Sequence, residues 1–358
     1  MRPADTTREL LLPLSTDPAR QRRFLVLREP LTGNLRFGVL LEELDRLAAR
    51  VSMDYVQFSH PAGTVVTAAV DEIRVRGVAD ASRDLLCRAR INRVGRSSME
   101  VGIRVGPAEG KSPPYATCFF TMVGRSGSGP DARSVEVSPL QLADGLARRR
   151  AAEAQARQED WRARQAAAKE PPSQEEQDEL AALHHAAPHL ETAAPGVAGR
   201  RASELVLETW ERTFPEQENP YGVIFGGYIM RRAYELASIA AEQLAPHRPL
   251  VAAVNRVNFF LPVQIGDKLR LRSAVVYAEG PALCVQVGIE RHSRDRTVRA
   301  LSNSCLFTFV NVDPQMALRD VPPVHPGSAE EDERWLEARR NLRSLEARLG
   351  EPWLGLGP

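Results

Sequence analysis

The amino-acid sequence predicts an α+β protein built from two copies of one module, each with a long helix wrapped by an antiparallel sheet. Two observations support this prediction. Each half of the 358-residue chain has one apolar run at helical spacing together with several runs of strand character. In addition, residues recur between the halves 187 positions apart, so that Cys118 and Phe120 correspond to Cys305 and Phe307. Such self-similarity indicates a duplicated module.

In the first half, apolar residues follow helical spacing over residues 35–50, with Gly38 near the start. Runs of strand character then follow, separated mostly by Gly, Pro, Asn and Ser. They cover residues 64–75, 84–92, 98–105 and 115–123. The first half is therefore predicted to form one helix and then an antiparallel meander.

The second half has the same plan, with strand-like runs at residues 205–210, 250–260, 268–279, 283–291 and 297–310. Its helix begins at Gly226 and Gly227, which let another backbone or a substrate carbonyl approach closely. The first turn of a helix also has unpaired N–H groups and a positive dipole end. This stretch is predicted to stabilise an oxyanion, unless the glycines only let the helix pack tightly.

Between the two halves the composition changes. Residues 144–185 are rich in Ala, Arg, Glu and Gln and are broken by Pro171 and Pro172, which is typical of a solvated helical linker. We therefore expect five parts. They are an N-terminal arm at 1–30, a first module at 31–140, the linker at 141–200, a second module at 201–325, and a C-terminal helix and tail at 326–358.

The composition excludes several classes of function. A formal net charge of +1 gives no support to binding of nucleic acid or of a charged membrane surface. No apolar run approaches the roughly 18 residues of a membrane span. The cysteines lie in apolar runs without C-x-x-C spacing, so we expect buried thiols and no metal site; they are Cys87, Cys118, Cys284 and Cys305. Acidic residues among the N-terminal arginines make a poor targeting peptide.

Three stretches resemble a known family, the tandem-hotdog acyl-CoA thioesterases, and within it the acyl-coenzyme A thioesterase 9 type. They are NPYGVIFGGYIMRRAYE at residues 219–235, the first-half helix RFGVLLEELDRLA, and the strand VGRSSMEVGIRV. The resemblance covers most of residues 10–325. It implies a double hotdog whose two sheets join edge to edge, and hydrolysis of acyl-CoA to free acid and coenzyme A without a cofactor. It also implies a homotrimer of double modules and points to mitochondria. Because the acidic residues of the N-terminal arm do not suit a transit peptide, we expect the mitochondrial matrix or the cytoplasm.

The resemblance further implies a composite active site, in which a loop of one module meets a carboxylate from the helix of the other. Aligning Gly38 with Gly227 places Asp45 opposite Tyr234, 189 positions apart. The same alignment places Asn219, in the loop before the second helix, opposite Pro30 in the first half. One composite site then has an amide and a carboxylate, whereas the other has neither. We predict one live site and one degenerate site per chain.

In the live site, Asp45 is predicted to act as general base toward water or as nucleophile, and Asn219 to orient water or substrate. The Gly227 N–H would bind the thioester oxygen, and Gly226 would permit close approach. Each role has a simpler alternative. Asp45 could belong to a solvated helix face, and Asn219 could only start a turn. Glu235 is a minor candidate that we expect to pair at the helix surface.

Coenzyme A has phosphates, so arginines near the groove between the modules are expected to meet them. The candidates are Arg93, Arg96, Arg231 and Arg232. Two other functions stay open. A non-catalytic acyl-CoA sensor or scaffold would use the charged linker and the C-terminal helix as partner surfaces. A hotdog enoyl-CoA hydratase is favoured only by the Asn219-Pro220 pair, since no His follows it.

Overall fold

The structure is a computed structural model, and it describes residues 1–28, 32–109, 113–127, 132–167, 170–187, 190, 199–219, 222–245, 247–349 and 353–356, without the side chains of Arg256 and Leu349. The helices within these ranges are α1 (Pro18–Phe24), α2 (Phe37–Ser59), α3 (Gly145–Ala167), α4 (Gln174–Ala186), α5 (Gly226–Glu242) and α6 (Ala329–Leu349). The first-half helix is therefore longer than the apolar spacing predicts.

The first module contributes the strands β1 (Arg8–Leu12), β2 (Thr64–Val75), β3 (Leu85–Val94), β4 (Ser98–Pro107), β5 (Ala116–Ser126) and β6 (Arg133–Ser134). The short β7 (Arg200–Arg201) and β13 (Val324–His325) pair with each other. The second module contributes β8 (Val206–Arg212), β9 (Pro249–Phe259), β10 (Lys268–Glu279), β11 (Ala282–His292) and β12 (Arg299–Asn311). The predicted strands are thus found in both halves.

The strands of both modules form one sheet in the order β1-β3-β4-β5-β2-β9-β12-β11-β10-β8, with β6 attached to β5. The two halves meet where β2 runs antiparallel to β9. This arrangement confirms the predicted double hotdog with sheets joined edge to edge. Pairing β2 with β9 also removes one exposed edge from each half.

The β2–β9 seam has a local twofold axis. Val70 lies opposite Val257, and Ile73 lies opposite Val254. Because Val254 follows Val70 by 184 positions, and Val257 follows Ile73 by the same number, each pair maps onto the other when the modules exchange. The residues that recur in the sequence are therefore related by a rotation in the structure.

The helices α2 and α5 pack side by side in the middle of the molecule. Helix α2 buries one apolar face that includes Val39, Leu41 and Leu44, whose exposed fractions are 0%. Helix α5 buries small residues such as Ala233 and Ala237, and small side chains let neighbouring backbones approach closely. One continuous core results, with the start of each helix beside the middle of the other.

The segment predicted as a solvated linker forms α3 and α4, and both helices are attached to the modules. Arg157 of α3 lies over the ring of Phe119 at 3.7 Å and forms an ion pair with Glu100 at 2.5 Å. Glu176 of α4 is buried and pairs with Arg340 of α6 at 2.7 Å. The charges that indicated solvation are partly used in these contacts, because long side chains can cover apolar surface while keeping their charged ends paired.

All four cysteines are buried free thiols, as predicted, and burial raises the pKa of the Cys87 thiol to about 12. Over the ranges that the structure describes, none of the helices is both long and apolar enough to cross a membrane.

Candidate active site

The start of α5 meets the third turn of α2. The backbone N–H of Gly227 donates a hydrogen bond of 2.7 Å to Oδ2 of Asp45, 182 positions earlier in the chain. The structure therefore brings together the carboxylate of one module and the helix start of the other, as the family resemblance implies. An N–H in the first helical turn is a good partner for a carboxylate, because it has no acceptor within its own helix.

The second carboxylate oxygen of Asp45 is held from the sheet. The hydroxyl of Thr67, on β2, donates a hydrogen bond of 2.7 Å to Oδ1 of Asp45. Asp45 itself is 0% exposed. The alternative that Asp45 belongs to a solvated helix face is thus wrong, since this side chain points inward to two fixed donors.

The basicity of Asp45 follows from this environment. Burial raises the pKa of Asp45 to about 6, and the hydrogen bonds from Thr67 and Gly227 and the charge of Arg46 offset this rise only in part. The neighbouring carboxylate of Glu42 raises the pKa slightly further. At neutral pH the group is ionised but is a much stronger base than an ordinary aspartate. A general base works best when its pKa lies close to the working pH.

The two glycines at the start of α5 have different surroundings. A Cβ on Gly227 would lie 3.0 Å from the Glu42 Cα, so only glycine lets the two helix backbones come this close. A Cβ on Gly226 would lie 3.4 Å from Oδ2 of Asp45 and 3.1 Å from the ring of Phe259. Gly226 is half-buried, and no hydrogen-bond acceptor for its N–H is found in the described part of the chain. Gly226 therefore lets the helix backbone lie close to both the Asp45 carboxylate and the Phe259 ring.

Asn219 lies in the turn before α5. Its N–H donates to the Val223 carbonyl at 2.8 Å, and its Oδ1 accepts from the Val223 N–H at 3.4 Å. Gly222 adopts the left-handed φ of +82° that closes this turn. Asn219 thus starts a turn, which is the simpler of its two predicted roles. Its catalytic role stays a prediction, and Pro220 and Tyr221 lie outside the described residues.

Two of the arginines predicted to meet coenzyme A lie on α5 and have carboxylate partners within the chain. Arg231 lies 2.9 Å from a carboxylate oxygen of Glu42, and Arg232 pairs with Glu211 and with Glu235. The two candidates outside α5 lie on the first module. Arg93 donates to Gln158 at 3.0 Å, and Arg96 is exposed at the β3–β4 turn. A role for any of them toward phosphate stays a prediction.

Glu235 forms ion pairs, as expected. The Nε of Arg36, just before α2, donates to Glu235 Oε1 at 2.9 Å, and Arg232 Nη1 lies 2.6 Å from the other oxygen. Glu235 therefore ties the start of α2 to the middle of α5. Its carboxylate is occupied by two guanidinium groups.

Several known proteins are similar to this chain in sequence. The family model described as the Thioesterase superfamily matches residues 32–113 and 221–297, one segment in each module. The mitochondrial acyl-coenzyme A thioesterase 4 of Humulus lupulus is 31% identical over 371 residues, which cover 98% of this chain and 67% of the relative. The mitochondrial acyl-coenzyme A thioesterase 9 of Homo sapiens is 27% identical, covering 95% of this chain and 78% of its own. This chain belongs to the tandem-hotdog acyl-CoA thioesterase family.

A solved structure of another thioesterase is similar in fold over most of the chain. An acyl-ACP thioesterase from Bacteroides thetaiotaomicron aligns with 86% of this chain and 100% of its own, with a TM-score of 0.50 and 11% sequence identity. At this level of identity the match concerns the fold alone, which is the double hotdog seen here.

The second composite position of this thioesterase-family chain is apolar. Tyr234, which corresponds to Asp45, is 9% exposed and lies against Phe37 with ring centroids 5.4 Å apart. Phe37 corresponds to Gly226, so an aromatic ring stands where the Asp45 site has a glycine. Pro30, the counterpart of Asn219, lies outside the described residues. The predicted asymmetry between the two positions is thus present in the residues that the structure describes.

Thr67 is the site residue that the sequence-based reasoning missed. A threonine in a strand is ordinary, because β-branched residues favour strands. The repeat nevertheless contains a signal: Thr67 corresponds to Val251, 184 positions later, and so is a polar residue where the other module of this thioesterase has an apolar one. The same comparison singled out Asp45 against Tyr234.

Proposed function

We propose that this chain hydrolyses acyl-CoA thioesters to the free acid and coenzyme A at the site built around Asp45. The observation that carries the proposal is the buried Asp45 carboxylate, whose pKa is about 6, held by Gly227 at the start of the facing helix. The relatives from Humulus lupulus and Homo sapiens are named acyl-coenzyme A thioesterases, which supports the same substrate class.

In the proposed reaction Asp45 acts as general base. It takes a proton from water while the water oxygen attacks the thioester carbonyl carbon, and the carbon–sulfur bond then breaks. The proton passes to the leaving thiolate, so the products are the acid and the free thiol. Direct attack by the carboxylate would form an anhydride that water then opens, with the same overall balance.

The oxyanion requires an N–H donor at the start of α5. The Gly227 N–H donates to Asp45 here, so its predicted role requires the carboxylate to release this bond when substrate binds. The neighbouring Gly226 N–H lies in the first turn as well, where the positive end of the helix dipole favours negative charge. We propose that the two N–H groups act together, with Gly226 leaving room for the thioester.

We propose that Asn219 orients water or substrate, and that Arg96, Arg231 and Arg232 meet the phosphates of coenzyme A. The turn Asn219–Val223 lies immediately before the helix start, which supports the first role. For the arginines of α5, phosphate binding means exchange of a carboxylate partner for a phosphate, for which the planar guanidinium is well suited.

The decisive experiment is release of free thiol from a panel of acyl-CoA substrates of short to long chain, followed with a thiol reagent. The wild-type chain should release thiol from at least one substrate, whereas Asp45→Ala and Asn219→Ala should lose this activity and keep their fold by circular dichroism. Thiol release by neither wild type nor variants would favour the acyl-CoA sensor instead. Full activity in either variant would sink the assignment of that residue.

The assembly and the compartment complete the proposal. We propose a homotrimer of double modules, which light scattering of the purified chain would test through the ratio of its mass to 39.6 kDa. We also propose the mitochondrial matrix or the cytoplasm as its compartment, supported by relatives named as mitochondrial. Fractionation of the source cells would decide between the two.

A further inference from the structure

A cavity of about 50 Å³ lies at the second composite position. Its walls include Phe37 and Leu40 from the start of α2, Tyr234 from α5, and Val251 from β9. None of its lining residues has a charged side chain, and the only hydroxyls come from tyrosines. This free space holds no more than a few water molecules, so a larger ligand enters only if a lining side chain moves out.

This cavity corresponds to the proposed active site under the local twofold axis. Gly33 at its edge corresponds to Gly222, and both have a left-handed φ, +75° and +82°. The loop before each helix therefore turns in the same way. What differs is chemistry, because Phe37 stands in place of Gly226 and Tyr234 in place of Asp45. The second position keeps the plan of a binding site and lacks the carboxylate needed for hydrolysis.

A residue from the C-terminal end of the chain already lies in the cavity. Leu354, in the short 3₁₀ turn Trp353–Gly355, lines the cavity and is 5% exposed. Its φ of 55° is left-handed, which is unfavourable for a residue with a Cβ. Burial of the leucine side chain against the cavity wall is the contact that compensates for this backbone. The cavity thus accepts a branched hydrocarbon.

We propose that the cavity binds the hydrocarbon chain of a fatty acid or fatty acyl thioester without hydrolysing it, in competition with Leu354. The argument for this ligand is the uncharged lining, the aliphatic residue already seated there, and the equivalence to the Asp45 site. An apolar cavity holds water poorly, so an aliphatic chain is the favoured occupant. The proposal rests on the proposed function only for the class of ligand, since binding here requires no turnover.

The test is a titration of the full-length chain with cis-parinaric acid, a fluorescent fatty acid, using Gly77→Leu to fill the cavity. Gly77 lines the cavity, and a Cβ added there meets only the Tyr115 ring, at an ordinary contact distance of 3.6 Å. The matched control is Gly145→Leu, because Gly145 is exposed and has no atom within 4 Å of an added Cβ. We expect binding weakened about tenfold or more in Gly77→Leu and unchanged in the control.

A second variant tests the competition. Leu354→Ala removes the side chain that occupies the cavity and should strengthen binding of the probe several-fold, whereas Leu146→Ala, at an exposed leucine of α3, should not. The proposal is overturned if neither Gly77→Leu nor Leu354→Ala alters binding. Thermal unfolding of each variant reports whether the fold is kept.

Thiol release from acyl-CoA, measured on the same samples, separates this proposal from the proposed function. Gly77→Leu should retain wild-type turnover. Loss of turnover together with loss of probe binding would mean that the cavity is the acyl tunnel of the Asp45 site, which overturns a separate binding site. Absence of turnover in the wild type would refute the hydrolase and leave the probe titration readable.

Discussion

Glu42 and Arg231 form an ion pair of 2.9 Å between α2 and α5, although they occupy the same position in the two modules. The alignment of Gly38 with Gly227 also aligns these two residues, 189 positions apart. A side chain at this position therefore meets its own counterpart close to the local twofold axis. Two identical charges here would repel, so the ion pair exists because the two copies have diverged.

Breaking this ion pair should reveal strong coupling. Glu42 and Arg231 are 6% and 22% exposed, so Glu42→Met leaves a poorly hydrated guanidinium and should cost about 2–4 kcal/mol. Arg231→Met should cost less, because Glu42 keeps its ion pair with Arg46. The double variant should cost less than the sum of the two. Urea unfolding measures each value. The exposed Arg149–Glu153 pair is the control, with expected coupling below about 0.5 kcal/mol. Additive losses at Glu42 and Arg231 would contradict a direct interaction.

Asp45→Asn should abolish activity and stabilise the fold. The pKa of Asp45 rises from 3.8 when unfolded to about 6 when folded, so stability is lost as pH rises between these values. The ionised group then costs about 3 kcal/mol above pH 6. The neutral amide avoids much of this cost, so we expect a gain of about 1–3 kcal/mol at pH 8 and none at pH 4.

Thermal unfolding at pH 4 and pH 8 checks this expectation, with thiol release as the activity readout, where loss of a general base costs about 10²–10⁴-fold. Asp54→Asn is the control, because Asp54 lies on the same helix but is exposed and pairs only with Arg8 among the ion pairs of the described residues. An Asp45→Asn variant that is less stable at pH 8 than at pH 4, relative to wild type, would refute the assigned burial cost.

Thr67→Val should move the pH profile of the reaction. Only ionised Asp45 can take a proton, so kcat/KM should rise with pH and level off above about pH 6. The Thr67 hydroxyl lowers the pKa of Asp45, and without it the rising limb should move to higher pH. Thr64→Val, on the same strand, should leave the limb in place. A reduced rate with an unmoved limb would mean that Thr67 acts only through packing.

Substitution of one glycine of α5 should affect mainly activity, whereas substitution of the other should affect mainly stability. Gly226→Ala places a methyl group 3.4 Å from the Asp45 carboxylate and against the movable ring of Phe259, so we expect activity to fall about 100-fold with little loss of stability. Gly227→Ala meets the Glu42 backbone at 3.0 Å, so it should destabilise the fold by about 2 kcal/mol or more. Thiol release measures the activity of both variants, and urea unfolding measures their stability. Equal effects of the two substitutions on activity and on stability would contradict the expectation.

The internal repeat made much of the site predictable from sequence. It relates Gly38 to Gly227, and thereby Asp45 to Tyr234. Such a comparison is informative because each module is compared with a second copy of the same module. The edge-to-edge joining of the sheets follows as well, since each module alone would leave a strand edge open.

Other features depend on distances that no repeat contains. The hydrogen bond from Thr67 to Asp45 requires the register of β2 against α2, and a threonine in a strand has no distinctive pattern. The pairing of Arg231 and Arg232 with carboxylates depends on which side chains face each other across the two helices. The attachment of α3 and α4 was missed because a charged, alanine-rich composition is the same for a solvated helix and for one held by ion pairs.

The β2–β9 seam has an evolutionary consequence. Main-chain hydrogen bonds hold the two strands together and depend little on side-chain identity. The twofold relationship between the modules is therefore kept while the side chains around the seam change. In an assembly of identical modules, every substitution would appear at both of the positions that the twofold axis relates. Because the modules here share one chain, Asp45 and Tyr234 are encoded separately, and natural selection can keep one position for chemistry while the other acquires a different use.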